Sequence, residues 1–331
     1  MIINCPTTFQ QGSATAFIRN VFLHYEIPDL TISFSQIGFI DPYSSLIVAH
    51  GMKVFSYMRN KKGLNVNIVG HDANIGTVGY LKHLGFFRFF GVRTGKDVDE
   101  AMGNSRYLPF TRIKRSQIMW KGHVMQEEID LKSERLAKVI FPGDDNIGPA
   151  MMLAYSIREI IRNSFEHGFV DQCIVTAQRW ATGEAEIAIA DEGIGIFSSL
   201  APKKNYSTPE QAISASLLPG ISSESIKDDV KWSNTGFGLY VVSELGKRYG
   251  EFEMTSSSRA LYFDKQNSPV ISNSPMTGTF VKLKVSTKDA DCFPNILAQI
   301  VSDGEKMAES VPGAKKSASK MSKTPMAWSN Q

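Results

Sequence analysis

The chain has 331 residues, of which 42% are hydrophobic and 21% are charged, and its formal net charge is +3. This length favours two domains, and the composition is typical of a globular protein that buries substantial cores. The small net charge gives no argument for a nucleic-acid partner, and no stretch reaches the roughly 18 apolar residues of a membrane span. The three cysteines form no CxxC pair, so neither a zinc cluster nor a disulfide framework is indicated. We therefore expect a cytoplasmic protein without a membrane partner.

The first predicted elements alternate between strand and helix. Residues 30–41, LTISFSQIGFID, are typical of a strand. Residues 42–63 are typical of a helix, because Pro42 suits a first turn and apolar residues recur at helical spacing. A second strand, LNVNIVG, and a second helix, IGTVGYLKHLGFFRFF, follow. This alternation predicts an α/β domain, which we place at residues 1–94.

A second domain is predicted at residues 142–288, after a connector at residues 95–141 that contains one amphipathic helix. Its elements are a long helix ending in REIIRNSFEHG, two adjacent strands in QCIVTAQRW and EAEIAIADEG, a helix in LYVVSELGKRYG, and later strands in EFEMTSSSRALYF and GTFVKLKVS. Residues 197–234 are polar and are predicted to form a long functional loop. Residues 289–331 lose the strand pattern and are predicted to be a basic, partly disordered tail.

A polar stripe runs along the predicted helix REIIRNSFEHG. Positions three or four apart share a helix face, so Glu159, Asn163, Glu166 and His167 lie on one side. The remaining, core-facing surface is assigned to Ile157, Ile160, Ile161, Ser164 and Phe165. Taken alone, such a stripe is equally typical of a solvated helix face. His167 is similarly explained by a local hydrogen bond at the helix end.

Two glycine motifs follow the polar helix. Asp191 comes directly after an apolar strand, and Gly193 and Gly195 allow close approach of the backbone. Gly236 and Gly238 precede a helix, where unpaired amides favour phosphate. One Gly-x-Gly usually indicates only a tight turn. The sequence contains neither a P-loop motif nor the third glycine of a dinucleotide-binding motif.

In combination, these motifs resemble the N box and the two glycine boxes of the gyrase, Hsp90, histidine-kinase and MutL (GHKL) ATPase superfamily. The similarity covers residues 142–285, and EIIRNSFEHGF resembles the anti-sigma-factor serine kinases in particular. The resemblance implies a Bergerat fold, an α/β sandwich with a mixed sheet and helices on one face. It also implies ATP and Mg²⁺ as ligands.

The resemblance assigns a role to each matching residue. Asn163 would bind Mg²⁺ through its amide oxygen, and Glu159 would be the general base for the attack on the γ-phosphate. Asp191 would accept the adenine amino group. The remaining assignments are to glycines that approach the nucleotide, to a lid at residues 197–234, and to a threonine near the adenine: Gly193, Gly195, Gly236, Gly238 and Thr279.

The first domain resembles the sulfate-transporter and anti-sigma-antagonist (STAS) fold, with a strand, Asp41, a helix, a strand and a helix in that order. Phosphorylated members of that family carry Asp-Ser-Ser-Gly at the start of the helix. Here Pro42 and Tyr43 separate Asp41 from Ser44 and Ser45, which puts phosphorylation in doubt. The alternative role for these serines is to satisfy free amides in the first helical turn.

Three functions are consistent with this combination. The first is an Mg²⁺-dependent regulatory ATPase that hydrolyses slowly and controls contacts with the STAS-like domain or another protein. The second is a protein serine kinase that acts on a STAS-domain partner, and the third is a module that binds ATP without turnover. A homodimer is expected only by analogy with the superfamily. A histidine autokinase is disfavoured, because no histidine on a predicted helix is followed directly by an acidic residue.

Overall fold

The computed structural model describes residues 1–9, 11–74, 76–118, 125–143, 147–223, 235–288 and 292–325. The predicted α/β class is confirmed: a three-stranded parallel sheet and a seven-stranded antiparallel sheet are both packed against helices. Among the described residues, no helix is long and apolar enough to cross a membrane.

Strands and helices alternate in the N-terminal part. They are β1 (Ile2–Asn4), α1 (Ser13–Leu23), β2 (Leu30–Ser33), α2 (Pro42–Lys61), β3 (Val66–Val69), α3 (Gly76–Leu84) and α4 (Phe86–Phe89). The strands lie in the order β1-β2-β3 and all pair in parallel. The predicted helix after β3 is divided at Gly85, whose φ of 89° is outside the helical range. β1 and α1 were not among the predicted elements.

The second sheet has the order β4-β5-β6-β10-β7-β8-β9. Its strands are β4 (Tyr107–Lys114), β5 (Gln172–Arg179), β6 (Glu184–Asp191), β7 (Gly250–Ser256), β8 (Arg259–Phe263), β9 (Pro269–Asn273) and β10 (Thr279–Ser286). Every pair of neighbours is antiparallel, so the expectation of a mixed sheet was wrong. β4 lies within the predicted connector but belongs to this sheet.

The helices of this part are α5 (Arg115–Ile118), α6 (Met125–Ile140), α7 (Ile147–His167), α8 (Gly195–Lys204), α9 (Pro209–Ala215), α10 (Gly238–Tyr249), α11 (Phe293–Ser310) and α12 (Lys320–Lys323). Two of them, α8 and α9, lie in the predicted loop, of which residues 224–234 are outside the described part. Two others, α11 and α12, lie in the predicted tail. Because Phe293, Leu297 and Ile300 are completely buried, α11 is part of the core and not a flexible tail.

The seven-stranded sheet is covered on both faces. Along β6, Ile187 and Ile189 point into the core formed with α7 and α10, whereas Ala188 and Ala190 point into the core formed with α2. This alternation is the two-residue period of a strand. The expectation of helices on one face was therefore incomplete, because α2 of the N-terminal part packs on the opposite face.

A buried charged cluster lies between α2 and the sheet. Lys282 Nζ on β10 is 3.2 Å from Asp41 Oδ2, 2.9 Å from Glu251 Oε2 and 3.6 Å from Glu186 Oε2. Burial raises the pKa of Glu186 and the pKa of Glu253 to about 8, and the nearby Lys282 ammonium opposes this rise. The contact between the two parts of the chain therefore includes buried charged groups, with the partly exposed Glu251 at its edge.

Candidate functional site

The site is built on the last two turns of α7. Its polar stripe is not a solvated face, because Glu159 is only 4% exposed and Arg158 and Arg162 are each 2% exposed. Asn163 is half-buried. A buried carboxylate needs a partner, and Glu159 has two neighbouring guanidinium groups.

One pocket collects most of the residues that the sequence singled out. Its lining comes from α7, the end of β6, the start of α8, the turn before α10 and the start of β10. The sequence-predicted residues that line it are Asn163, Asp191, Gly195, Gly236, Gly238 and Thr279. Glu159 and Gly193 do not line the pocket, but each contacts a residue that does.

Asp191 lines the pocket and is held in a defined orientation by hydrogen bonds. Its Oδ1 accepts hydrogen bonds from the backbone amides of Gly193 at 2.9 Å and Thr279 at 3.3 Å, and its Oδ2 accepts one from Ser164 Oγ at 2.9 Å. Burial raises the pKa of Asp191, while these hydrogen bonds lower it. Sequence reasoning missed Ser164 and assigned it to the core-facing surface; its position next to Asn163 was the available signal.

Glu159 lies against the second glycine motif. Its Oε1 accepts a hydrogen bond from Arg158 Nε at 3.0 Å, and its Oε2 is 3.7 Å from Arg162 Nη1. A Cβ atom on Gly238 would overlap Glu159 Oε2, so only glycine fits there without displacing the carboxylate. The helix that follows this motif therefore begins directly beside the carboxylate.

The turns at the pocket have backbone conformations that favour glycine. The φ angles are 75° at Gly195 and 77° at Gly236. At Gly236 a Cβ atom would also overlap the backbone carbonyl group of Ile221. These turns bring the amino ends of α8 and α10 to the pocket. At α8 the amides of Ile196 and Phe197 already donate to Ser256 Oγ and Ser257 Oγ, each at 2.9 Å. The amino end of α10 is therefore the one that suits an anionic ligand.

His167 at the end of α7 also lines the pocket, and its Nδ1 is 3.0 Å from Ser223 Oγ. Ser223 is 56 residues away in the sequence, so this contact is not the local helix-end hydrogen bond that the sequence predicts for His167. Ser223 is the last described residue before residues 224–234, which include most of the second half of the predicted lid. The described part of the lid, residues 197–223, contributes six residues to the pocket: Ser199, Leu200, Ser216, Ile221, Ser222 and Ser223.

A metal would find few protein ligands here. In the part of the chain that the structure describes, no three His, Cys, Asp or Glu side chains are grouped closely enough to hold an ion. Mg²⁺ commonly takes one or two protein ligands and completes its octahedron with phosphates and water. The single amide of Asn163 fits that mode of binding and does not fit a metal site made of protein alone.

Ser44 and Ser45 are far from this arrangement. They are 2% and 1% exposed in the first turn of α2, which packs on the sheet face opposite α7 and α10. Asp41 Oδ1 accepts a hydrogen bond from Ser44 N at 2.7 Å, and Ser45 Oγ donates to Pro42 O at 2.7 Å. The free amide of the first turn is thus satisfied by Asp41, not by a serine hydroxyl as expected.

Comparison of the chain with protein-family models gives no match, and comparison with curated proteins gives no significant match. The GHKL and STAS resemblances therefore depend on the sequence motifs alone.

Proposed function

We propose that the chain is an Mg²⁺-dependent ATPase of the GHKL type, whose nucleotide state controls protein contacts. One observation carries the proposal. Residues from four separate segments, Asn163, Asp191, Gly236 and Thr279, line a single pocket, and Glu159 lies beside it against Gly238. If the glycine motifs were only tight turns and the polar stripe only a solvated helix face, these residues would have no reason to lie together.

The adenine end of the pocket would be at Asp191. Its carboxylate is buried and oriented by Ser164, Gly193 and Thr279, so it is ready to accept a hydrogen bond from an exocyclic amino group. Guanine presents a carbonyl at that position, which would leave a buried acceptor facing another acceptor. The site should therefore prefer ATP to GTP.

The phosphate end would be at Gly236 and Gly238, with Asn163 as the metal ligand. Bound Mg²⁺ would neutralise charge on the phosphates. Glu159 would orient the nucleophile and accept its proton, because its Oε2 faces the glycine turn while its Oε1 is held by Arg158. The lid would exclude water from the site.

A serine kinase that acts on a partner is the second candidate, since the same site could direct a protein hydroxyl at the γ-phosphate. Transfer to Ser44 or Ser45 of the same chain is disfavoured, because both are buried under the opposite face of the sheet. We therefore propose that the STAS-like part is a docked regulatory element and not a substrate in cis. A module that binds ATP without turnover is the third candidate.

Incubation of the purified chain with γ-labelled ATP and Mg²⁺ separates these functions. Free labelled phosphate supports the ATPase, labelled protein supports the kinase, and neither product with retained ATP binding supports the third candidate. In the Glu159→Gln protein, turnover should fall by about 10²-fold or more, the usual contribution of a general base. ATP affinity should stay within about twofold, because the amide has the same shape; unchanged turnover would reject the role of Glu159.

A further inference from the structure

The C-terminal segment, residues 311–325, contacts the lid and the residue that directly follows it. The Lys315 amide donates a hydrogen bond to Gly220 O at 2.8 Å, and the Ser319 amide donates one to Thr235 Oγ1 at 3.0 Å. Gly220 and Thr235 flank residues 221–234 in the sequence. This part of the predicted tail is therefore hydrogen-bonded to the described part of the lid and to the residue that follows the lid.

The same segment holds the side chain of Arg158 on α7. Arg158 Nη2 donates a hydrogen bond to Met321 O at 2.8 Å, and its guanidinium group lies 4.6 Å from the centroid of the Tyr155 ring. The Tyr155 hydroxyl in turn donates to Ser322 O at 3.1 Å. Both side chains are buried, so water does not compete for these contacts.

Arg158 connects this segment to the proposed base. Its Nε donates to Glu159 Oε1 at 3.0 Å, and its Nη2, which also lies 3.0 Å from that oxygen, donates to Met321 O at 2.8 Å. The other carboxylate oxygen, Oε2, faces the Gly238 turn. It lies 3.7 Å from Arg162 Nη1, which is longer than a hydrogen bond. The fork of a guanidinium can satisfy two acceptors at once in a fixed plane, which a lysine ammonium on a flexible stem does not reproduce.

We propose that Arg158 is a positioning residue for Glu159, and that the C-terminal segment 311–325 keeps Arg158 in place. The segment anchors Nη2 of the guanidinium group, and Nε and Nη2 together hold Glu159 Oε1. Glu159 Oε2 is thereby aimed at the glycine turn. This inference rests on the proposed ATPase or kinase function. Arg158 and the C-terminal segment would thus affect the rate of the chemical step through Glu159.

The test uses the full-length Arg158→Lys protein. We measure kcat for γ-phosphate transfer or release, the dissociation constant for Mg·ATP, and the melting temperature. The proposal predicts that kcat falls by about tenfold or more, as expected when a base is displaced by a fraction of an ångström, while the dissociation constant changes by less than about twofold. Tyr155→Phe, which removes only the hydroxyl that reaches Ser322 O, should give a smaller fall in kcat with the same unchanged affinity.

Arg59→Lys is the matched control. Arg59 is also fully buried and donates to the backbone carbonyls of Tyr25, Pro28 and Asn65, but it lies in the N-terminal part. This control should lose thermal stability without a loss of kcat. It separates a positioning effect from the general cost of disturbing a buried arginine.

The proposal is overturned if kcat of Arg158→Lys is unchanged or higher, or if kcat and affinity fall together. If Arg158→Lys does not fold, the result with Tyr155→Phe decides in the same way. The Glu159→Gln protein separates the catalytic role of Glu159 from the positioning role of Arg158. Full turnover in Glu159→Gln would refute the catalytic role of Glu159 itself, whereas lost turnover there with normal kcat in Arg158→Lys would refute only the positioning role of Arg158.

Discussion

Replacement of Gly238 by alanine tests whether Glu159 acts from its position beside α10. An alanine Cβ would overlap Glu159 Oε2 and would lie 3.0 Å from its Cδ and 3.2 Å from its Cβ. Carbon atoms in contact are about 3.5–4.0 Å apart, and Oε2 would be closer to the new Cβ than Cδ is, so the carboxyl group must move by about 1 Å or more. It cannot move without disturbing the hydrogen bond to Arg158 Nε.

Displacement of a reacting group by about 1 Å can reduce a rate by about 100-fold, so we expect kcat of Gly238→Ala to fall by about 10-fold to 100-fold. Alanine favours a helix by up to about 1 kcal/mol relative to glycine, which offsets part of the strain and should keep the melting temperature close to that of the wild type. The assay is phosphate release at saturating Mg·ATP, with calorimetric melting of the same samples.

Gly246→Ala, in the same helix, is the control. Its Cβ would lie 2.6 Å from Phe252 Cβ and 2.8 Å from Glu251 O, away from Glu159. It should lower the melting temperature and leave kcat unaffected. A folded Gly238→Ala protein with wild-type kcat would refute the reasoning that links this glycine to the base.

Two further predictions concern the metal and the buried charged cluster. Asn163→Ala should weaken binding of ATP in the presence of Mg²⁺ by about tenfold, the cost of one contact to a charged group, and leave binding in EDTA unaffected; equal weakening with and without Mg²⁺, measured by calorimetry, would contradict a metal-ligand role. Burial raises the pKa of Glu186 and of Glu253 to about 8, so both bind a proton more tightly in the folded state than in the unfolded state. Their contribution to stability is complete below their unfolded pKa and is lost as the pH rises through about 8. The melting temperature should therefore fall between pH 6 and pH 9, and it should fall less in Glu253→Gln; an equal fall in the two proteins would show that Glu253 does not titrate in this range.

The sequence was most informative where chemistry is concentrated in short motifs. The helix with Glu159 and Asn163, the strand that ends at Asp191 and the helix that begins at Gly238 could all be predicted, because helical period, strand composition and glycine placement are local signals. The structure places these motifs around one pocket. Their roles with ATP and Mg²⁺ remain predictions.

Features that depend on distant parts of the chain were missed. β4 contains Pro109, and its pairing with β5 changes register between Leu108 and Thr111, so its sequence shows no regular alternation. Strand direction in the second sheet is set by long-range pairing and not by composition. Lys282, Glu186 and Glu253 are charged, and charged residues are typical of a solvated strand face. All three are nevertheless buried, because the N-terminal part packs on this face of the sheet.

The helix α11 was missed for a different reason. Leu297, Ile300, Val301, Gly304 and Ala308 recur at helical spacing and are all buried, so the periodic signal was present in the sequence. The basic composition after Gly313 dominates the prediction of a partly disordered tail for all of residues 289–331. A helical pattern should therefore be tested separately on each side of a change in composition.

Binding of an adenine nucleotide in the pocket is tested most directly by isothermal titration calorimetry. The wild-type and Asp191→Asn proteins are titrated with ATP and with GTP in the presence of Mg²⁺. If the pocket binds the adenine nucleotide through Asp191, the wild type binds ATP and discriminates against GTP, and Asp191→Asn loses most of that discrimination. Absence of ATP binding by the wild type, or the same preference for ATP in Asp191→Asn, would contradict the account.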